Sequence, residues 1–215
     1  MSTLRPQNEE ELQKREALGV IRASRFVRRY VQSHQVITVK TICDIHQEIF
    51  ADAWPEIAGK YRKEDLAITD SDLVLPQYTR VPELMKKLEG DLAMKLDKLK
   101  DCEGYIFDLQ TTVTEEAIQC IEKVIHTTSW LHHMITVIHP FREGNGRTAR
   151  LAANLILERY GLVGISVKIE KENKNEYRKS LAQIDKYEDY EPLENIITEG
   201  IIERYNGVTM KYYKA

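Results

Sequence analysis

Apolar residues recur every three to four positions along most of the chain, which is the spacing that places them on one face of an α-helix. The longest such stretch covers residues 118–138 and is followed by His139 and Pro140. Proline lacks a backbone N–H and its ring clashes with the preceding turn, so this helix is expected to end before it. A second helix with the same pattern is expected from about Arg147. The pattern therefore predicts two long helices joined by a short loop.

The rest of the chain also has the pattern of helices, and capping residues mark several of their ends. Asn8 with Glu11 three residues later is a start signal, and Pro192 suits the first turn of the last helix. Residues after the pair Asn206-Gly207 are expected to be frayed or to form a short strand. The further helices predicted are 8–29, 41–53, 82–100, 173–185 and 191–207.

The composition is that of one globular domain with terminal extensions: 215 residues, 42% hydrophobic and 30% charged. No run approaches 18 apolar residues, so no membrane span is expected. The net charge of −3 gives no sign of nucleic-acid binding, and the basic helix face at 22–29 is expected to be paired with acids.

Compartment is predicted from the chain start and the cysteines. The first residues are polar and acidic, unlike a secretory signal or a mitochondrial leader. The three cysteines have neither metal nor redox spacing, and Cys43 and Cys120 are expected to be reduced thiols in the core. The cytoplasm is the expected compartment, with delivery into another cell by a secretion system left open.

The loop between the two long helices has the residues that a polyphosphate site needs. Gly144-Asn145-Gly146 can turn several backbone amides toward one anion. The first turn of the next helix has unpaired N–H groups and the positive end of the helix dipole, which also favour phosphate. Arg147 and Arg150 are three residues apart and share a helix face, and guanidinium groups bind phosphate in a bidentate way. These residues are therefore candidates for binding a di- or triphosphate.

Two further residues of the same loop suggest catalysis. Glu143 would repel bound phosphates unless a divalent cation lay between them, so it is the candidate ligand for Mg²⁺. His139 titrates near neutrality and lies at the start of the loop, where it can take a proton from an incoming hydroxyl. The loop predicts nucleophilic attack on a phosphate of a Mg-nucleotide.

The segment His139 to Arg150 resembles the signature of the Fic family (Fic/Doc), H-P-F-x-(D/E)-G-N-G-R-x-x-R, and every specified position is filled. Upstream, Phe50 to Arg62 is similar to the family's W-A-G-x-x-R-like turn, although Trp54 stands apart from Ala58-Gly59. The resemblance suggests a Fic domain at residues 35–195. It would lie between an N-terminal helical extension, 1–34, and a C-terminal helix and tail, 196–215.

The resemblance implies an all-α fold, a Fic helical bundle with a short β-hairpin flap over the active site. Family members most often transfer AMP from ATP to a Ser, Thr or Tyr hydroxyl of a protein. By analogy His139 is the general base and Glu143 holds Mg²⁺. Gly144, Asn145 and Gly146 would form the anion hole, Arg147 would bind the β- and γ-phosphates, and Arg150 would bind the γ-phosphate. A kinase branch of the family has lysine in place of the second glycine of the motif. This chain has Gly146 there, which argues against that branch.

The flap is predicted at about residues 66–76, where a target protein would dock by strand addition. Residues 67–69 and 73–75 have the pattern of two short strands around the turn 70–72, and Pro76 ends the second. An exposed pair of short strands offers an edge to an extended peptide.

Regulation and the exact reaction are left open by the sequence. Many Fic proteins carry an inhibitory helix, (S/T)-x-x-x-E-(G/N), whose glutamate pairs with the second motif arginine. The nearest match ends at Glu199-Gly200 but has Asn195 where Ser or Thr is expected. A separate antitoxin, as in a toxin–antitoxin pair, is the other hypothesis, and oligomerisation is open. The alternatives to AMP transfer are AMP removal, transfer of another nucleotidyl or phosphate group by the same loop, and a catalytically idle binding module.

Overall fold

Seven α-helices and no β-strand are present in the part of the chain that the computed structural model describes. That part comprises residues 5–68, 73–103, 114–165 and 173–212, without the side chains of 173–174 and 206–212. The helices are α1 (Glu9–Gln32), α2 (Val39–Phe50), α3 (Val81–Asp97), α4 (Glu115–Ile138), α5 (Asn145–Arg159), α6 (Asn173–Tyr187) and α7 (Glu191–Tyr212). Single 3-10 turns occur at Tyr78–Arg80 and Lys100–Cys102. None of the helices in these ranges is long and apolar enough to cross a membrane.

The chain divides into two compact units, each with its own buried residues. The first unit comprises Met1–Lys95 and Met134–Ala152, and the second comprises Leu96–His133 and Ala153–Ala215. Fully buried residues of the first unit include Ile42, Ile45, Ile49, Phe50, Met85, Leu88, Leu92 and Phe141. Those of the second include Leu99, Val124, Leu131, Leu155, Leu157 and Leu193. These positions are the apolar stripes seen in the sequence, so burial of those stripes organises each unit.

In the first unit, α1 packs closely against α2. Asn8 caps α1 by accepting a hydrogen bond from the Glu10 N–H at 2.9 Å. Gly19 is buried within this unbroken helix, and a Cβ there would lie 1.9 Å from the Ile49 carbonyl oxygen. Glycine is therefore needed for the close approach of the two helices.

The basic face of α1 is partly neutralised by acids of α2, as expected for a structural role. Arg22 forms ion pairs with Glu48, at 2.9 Å, and with Asp52 just beyond the helix end. Such pairs contribute only modestly to stability, but they fix how the two helices face each other.

In the second unit, three histidines of α4 have partners on α6 and α7. His132 contacts the Tyr177 hydroxyl at 2.6 Å, and His133 contacts Asp185 at 2.8 Å. His126, closer to the helix start, contacts Glu194 at 2.7 Å. The described residues contain no cluster of three or more His, Cys, Asp or Glu that could hold a metal ion.

Two expectations from the sequence are corrected in this unit. Cys102 and Cys120 are joined in a disulfide, with Cα atoms 5.3 Å apart, so Cys120 is not a free thiol; Cys43 is free. Their separation of 18 residues carries no spacing signal, because the fold and not the spacing brings them together. The cytoplasmic prediction loses the support it took from reduced cysteines. Helix α7 continues to Tyr212, past the pair at 206–207 where it was expected to end.

The predicted β-hairpin flap is not seen as strands. The predicted turn, 70–72, and the last residue of the first predicted strand, Thr69, lie outside the described residues. The flanking residues 64–68 and 73–77 are described and contain neither helix nor strand. The all-helical fold is confirmed, and the hairpin stays a prediction.

Candidate active site

The loop that joins α4 to α5 covers residues 139–144, and two of its residues have positive φ angles. His139 has a φ of 49°, which is uncommon for a residue with a side chain. Gly144 has a φ of 75°, and a Cβ there would lie 2.3 Å from Cε2 of Phe50. Both the backbone angle and the lack of space therefore require glycine at 144.

The side chain of Asn145 holds this loop in shape. Its Oδ1 accepts a hydrogen bond from the Phe141 N–H at 2.9 Å, and its Nδ2 donates to the Phe141 carbonyl at 2.7 Å. Phe141 is fully buried and stacks on the His46 ring, with centroids 3.9 Å apart. The backbone N–H of Asn145, at the first position of α5, has no partner within the helix and can serve a bound anion.

His46, a residue that the sequence analysis does not single out, supports the loop from α2. Its Nδ1 accepts a hydrogen bond from the Gly59 N–H at 2.9 Å, so its Nε2–H donates to the Glu143 carbonyl at 3.0 Å. A ring that accepts at one nitrogen and donates at the other is neutral. Burial lowers the pKa of His46 to about 4, with a smaller contribution from the positive charge of Arg147. The only sequence signal is a histidine among the apolar positions of an amphipathic helix.

The imidazole of His139 is held in the form that a general base needs. Its Nδ1 lies 3.3 Å from the Thr136 carbonyl oxygen, and since a carbonyl only accepts, Nδ1 carries the proton. The lone pair is then on Nε2. Partial burial lowers the pKa of His139, and the nearby charge of Arg62 lowers it further. His139 is therefore neutral at pH 7 and can accept a proton.

Arg62 connects His139 to the segment that is predicted to form the flap. The Arg62 side chain is buried, and its Nε donates to the His139 carbonyl at 2.9 Å. Its Nη1 donates to the Glu64 carbonyl at 2.9 Å, and its Nη2 donates to the Pro76 carbonyl. One guanidinium thus draws together the two ends of the segment 64–76 and ties them to the loop 139–144.

The two motif arginines lie at the start of α5. Arg147 donates to Glu16 of α1 and, at 3.4 Å, to Glu143. Arg150 lies beside Gly146, because a Cβ at that glycine would be 3.3 Å from the Arg150 Nη1. Two guanidiniums and the free N–H groups of the first helical turn are therefore close together, as a phosphate site requires.

Glu143 has one carboxylate oxygen available for a cation. Its Oε1 accepts a hydrogen bond from the Gly144 N–H at 2.9 Å, and its side chain is 55% exposed. Its Oε2 accepts no hydrogen bond from any residue in the described ranges. A single carboxylate fits Mg²⁺ that arrives with a nucleotide, since phosphate oxygens and water supply the remaining ligands.

The same segment of the chain matches a known family. The model of the Fic/DOC family matches residues 36–157, which is more than half of the 215 residues. The chain belongs to the Fic/DOC family. Among curated relatives, the protein adenylyltransferase fic-1 of Caenorhabditis elegans is 27% identical over 197 residues, which cover 89% of this chain and 34% of that protein.

Solved structures of Fic proteins share the fold. Residues 134–508 of Fic-1 from C. elegans superpose with a TM-score of 0.69 at 24% identity, over 98% of this chain and 56% of that one. BepC of Bartonella tribocorum, with bound AMPPNP, gives a TM-score of 0.59 at 16% identity, over 91% and 88% of the two chains. The chain thus spans about a third of the curated relative and about half of the crystallised Fic-1 fragment.

Glu16 is the second residue at this Fic site that the sequence analysis missed. Arg62 was named there only as the end of the W-A-G-x-x-R-like turn, without a role at the site. A search for the inhibitory pattern passes over Glu16, because Leu12 stands where Ser or Thr is expected and Ala17 follows. A better signal is its position on the buried stripe of α1, beside Leu12 and Gly19. The alternative, Glu199, lies on α7, and its inhibitory role stays a prediction.

Proposed function

We propose that this Fic/DOC chain transfers AMP from Mg-ATP to a Ser, Thr or Tyr hydroxyl of a target protein. The observation that carries the proposal is the position and form of His139. The imidazole is neutral, with its Nδ1–H donated to the Thr136 carbonyl, and it lies just before the N-terminus of α5, which carries two arginines. The adenylyltransferase name of the C. elegans relative and the AMPPNP bound to BepC support the choice of ATP.

In the proposed reaction the oxygen of the target hydroxyl attacks the α-phosphorus of ATP. A new P–O bond forms, the bond to the bridging oxygen breaks, and pyrophosphate leaves. Nε2 of His139 takes the hydroxyl proton. The lowered pKa of His139 keeps this nitrogen unprotonated at physiological pH.

The phosphates would lie on the first turn of α5. The backbone N–H groups of Gly144, Asn145 and Gly146 would bind the α- and β-phosphates, and the positive helix end favours negative charge there. Arg147 would bind the β- and γ-phosphates, and Arg150 the γ-phosphate. Binding through Arg147 requires its guanidinium to leave Glu16 or to share it.

Glu143 would hold Mg²⁺ through its half-exposed carboxylate. Bound with ATP, the ion supplies neutralisation of phosphate charge. The Gly144 N–H now donates to this carboxylate, and it would turn to the phosphates when Mg-ATP binds.

The target segment would add as a strand to the flap at about residues 66–76. Two observations support this role. Arg62 holds the ends of the segment together, as the base of a hairpin requires. In addition, Val74 is 89% exposed while its neighbours Leu73 and Leu75 are partly covered, which is the alternation of an extended strand with one free face.

The remaining predictions also stay proposals. They are the Fic domain at 35–195 between terminal extensions 1–34 and 196–215, the cytoplasm as compartment, a separate antitoxin as inhibitor, and oligomerisation.

The test is labelling of cell-lysate proteins with ATP that carries the label on the α- or the γ-phosphate. AMP transfer predicts label from the α position only, lowered at least about a hundredfold in His139→Ala. His126→Ala, on α4 and away from the loop, is the matched control and should label normally. Label from the γ position alone would mean phosphate transfer. Loss of label from pre-modified protein would mean AMP removal, and no difference between the chain and His139→Ala would favour a binding module.

A further inference from the structure

A cavity of about 310 Å³ opens beside the motif loop in the first unit. Arg142, from the loop itself, and Arg62, which holds the His139 carbonyl, both line it. None of the proposed nucleotide-binding residues, 143–147 and 150, lines it. The cavity is therefore next to the catalytic histidine but separate from the phosphate site.

One wall of the cavity is apolar and aromatic. Trp54 is half-buried, and two guanidiniums lie over its ring, that of Arg5 at 3.8 Å from the centroid and that of Arg142 at 5.0 Å. Ile57 is buried beside it, and the Tyr61 ring completes the wall. Such a wall can cover the methylene groups of a side chain.

The other lining residues give the cavity a formal excess of two positive charges. They are four basic and two acidic side chains: Lys60, Arg62, Lys63 and Arg142 against Glu56 and Glu64.

Three of these positive charges are poorly compensated. Arg62 is buried with its donors on carbonyl oxygens, and the nearest carboxylate in the described part of the chain, that of Asp65, is 3.7 Å away and mostly exposed. Lys60 and Lys63 are exposed and form no ion pair with a described residue. By contrast, Arg142 is paired with Glu64 at 2.7 Å. An added carboxylate would therefore be attracted chiefly by Lys60, Arg62 and Lys63.

We propose that this cavity binds an acidic side chain, glutamate or aspartate, of the target polypeptide at a position that flanks the modified hydroxyl. The methylene groups of that side chain pack on the apolar wall beside Trp54, formed by Ile57 and Tyr61, and its carboxylate lies toward Lys63. The cavity thus selects targets with an acid beside the acceptor residue. The proposal rests on the proposed function, because a target polypeptide must be bound beside His139.

The first test measures binding without ATP. Two pools of acetylated, amidated pentapeptides are used, with glutamate or glutamine at the centre and alanine, serine and valine elsewhere. The readout is the indole N–H resonance of Trp54, one of two tryptophans, assigned by comparison with Trp130→Phe. The glutamate pool should shift this resonance saturably, with a dissociation constant about fivefold or more below that of the glutamine pool.

Charge reversal then locates the site. Lys63→Glu should bring the two pools to within about twofold of each other. Lys86→Glu, an equal charge change at an exposed position of α3, should leave the preference intact. Equal affinity of the two pools for the unaltered chain, or a preference that survives Lys63→Glu, would overturn the proposal.

The second test asks whether the occupant belongs to the target. Longer peptides with a central Ser, Thr or Tyr and glutamate or glutamine at each flanking position are labelled from α-labelled ATP. Faster labelling with glutamate at one position, lost in Lys63→Glu, supports the proposal. Equal rates at every position overturn it. If Trp54 reports binding but no peptide or protein takes label, the proposed function fails and the claim on the target falls with it, while the acid-binding cavity stands.

Discussion

Replacing Glu16 with glutamine should strengthen the binding of Mg-ATP. In the present structure the Glu16 carboxylate holds the Arg147 guanidinium, which is the group proposed to bind the β- and γ-phosphates. Glutamine keeps an oxygen that can accept the hydrogen bond, so α1 stays in place, but it removes the negative charge that competes with phosphate. The arginine is then free to turn to the nucleotide.

The size of the effect follows from how buried this ion pair is. The Arg147 side chain is 26% exposed and that of Glu16 is 15% exposed. Fully exposed pairs are worth about 0.2–1 kcal/mol, and hydrogen bonds to charged groups about 1.5–3 kcal/mol. An intermediate value of roughly 1–2 kcal/mol corresponds to a dissociation constant about five- to thirtyfold lower.

Titration calorimetry with Mg-ATP measures this change, and transfer of label from the α-phosphate should rise in parallel. Glu199→Gln is the informative comparison, because the sequence pattern favours Glu199 as the inhibitor whereas the geometry favours Glu16. Unaltered or weaker ATP binding by Glu16→Gln, with an unchanged unfolding midpoint, would refute the reasoning. If ATP affinity rises in Glu199→Gln but not in Glu16→Gln, the inhibitory residue is Glu199 on α7.

Three further predictions follow from the loop and its supports. The free energy of unfolding should fall by up to roughly 3 kcal/mol as the pH drops from 6.5 to about 4, because the unfolded chain protonates His46 near pH 6.5 and the folded chain only near 4. Urea midpoints across this range measure it, and His46→Gln should have the flatter profile; equal slopes would contradict the assignment. Gly144→Ala should cost more than about 2 kcal/mol and abolish labelling, whereas Gly90→Ala, whose Cβ meets nothing within 4 Å, should stabilise by about 0.5–1 kcal/mol. Thermal unfolding separates the two, and equal shifts would argue against the steric reasoning. Arg62→Lys should lower the rate of AMP transfer roughly tenfold with little change in ATP affinity, since it loses carbonyl contacts that hold the segment 64–76 to His139. Parallel losses in both quantities would point to general unfolding instead.

Helix positions were predictable because they depend on local spacing and capping chemistry. Asn8 caps α1 as predicted, and Thr114 accepts the Ala117 N–H at 3.2 Å directly before α4. The predicted start of α2 at Thr41 was late. Thr38 is the actual cap and forms a capping box with Thr41, which therefore lies inside the helix. Both threonines are acceptable caps in sequence, and only the backbone angles distinguish them.

The motif residues were predictable as a set, but their hydrogen bonds were not. Asn145 was expected to help form the anion hole through its backbone amide, which stays a prediction. That its side chain holds Phe141 was not foreseen. The residues that complete the site, His46, Arg62 and Glu16, come from segments far from the loop in sequence. No local pattern links them to it, because long-range contacts are made by packing.

By itself, the sequence determined the helical periodicity, the glycines and proline that shape the loop, and the order of base, carboxylate and arginines along it. These are properties of neighbouring residues, and neighbouring residues interact in any conformation of the chain. The tertiary structure alone decided that His139 is neutral with its lone pair on Nε2, that Arg62 joins it to the segment 64–76, and that Glu16 holds Arg147. Protonation and pairing depend on burial and on charges brought close by folding, and neither exists until the helices have packed.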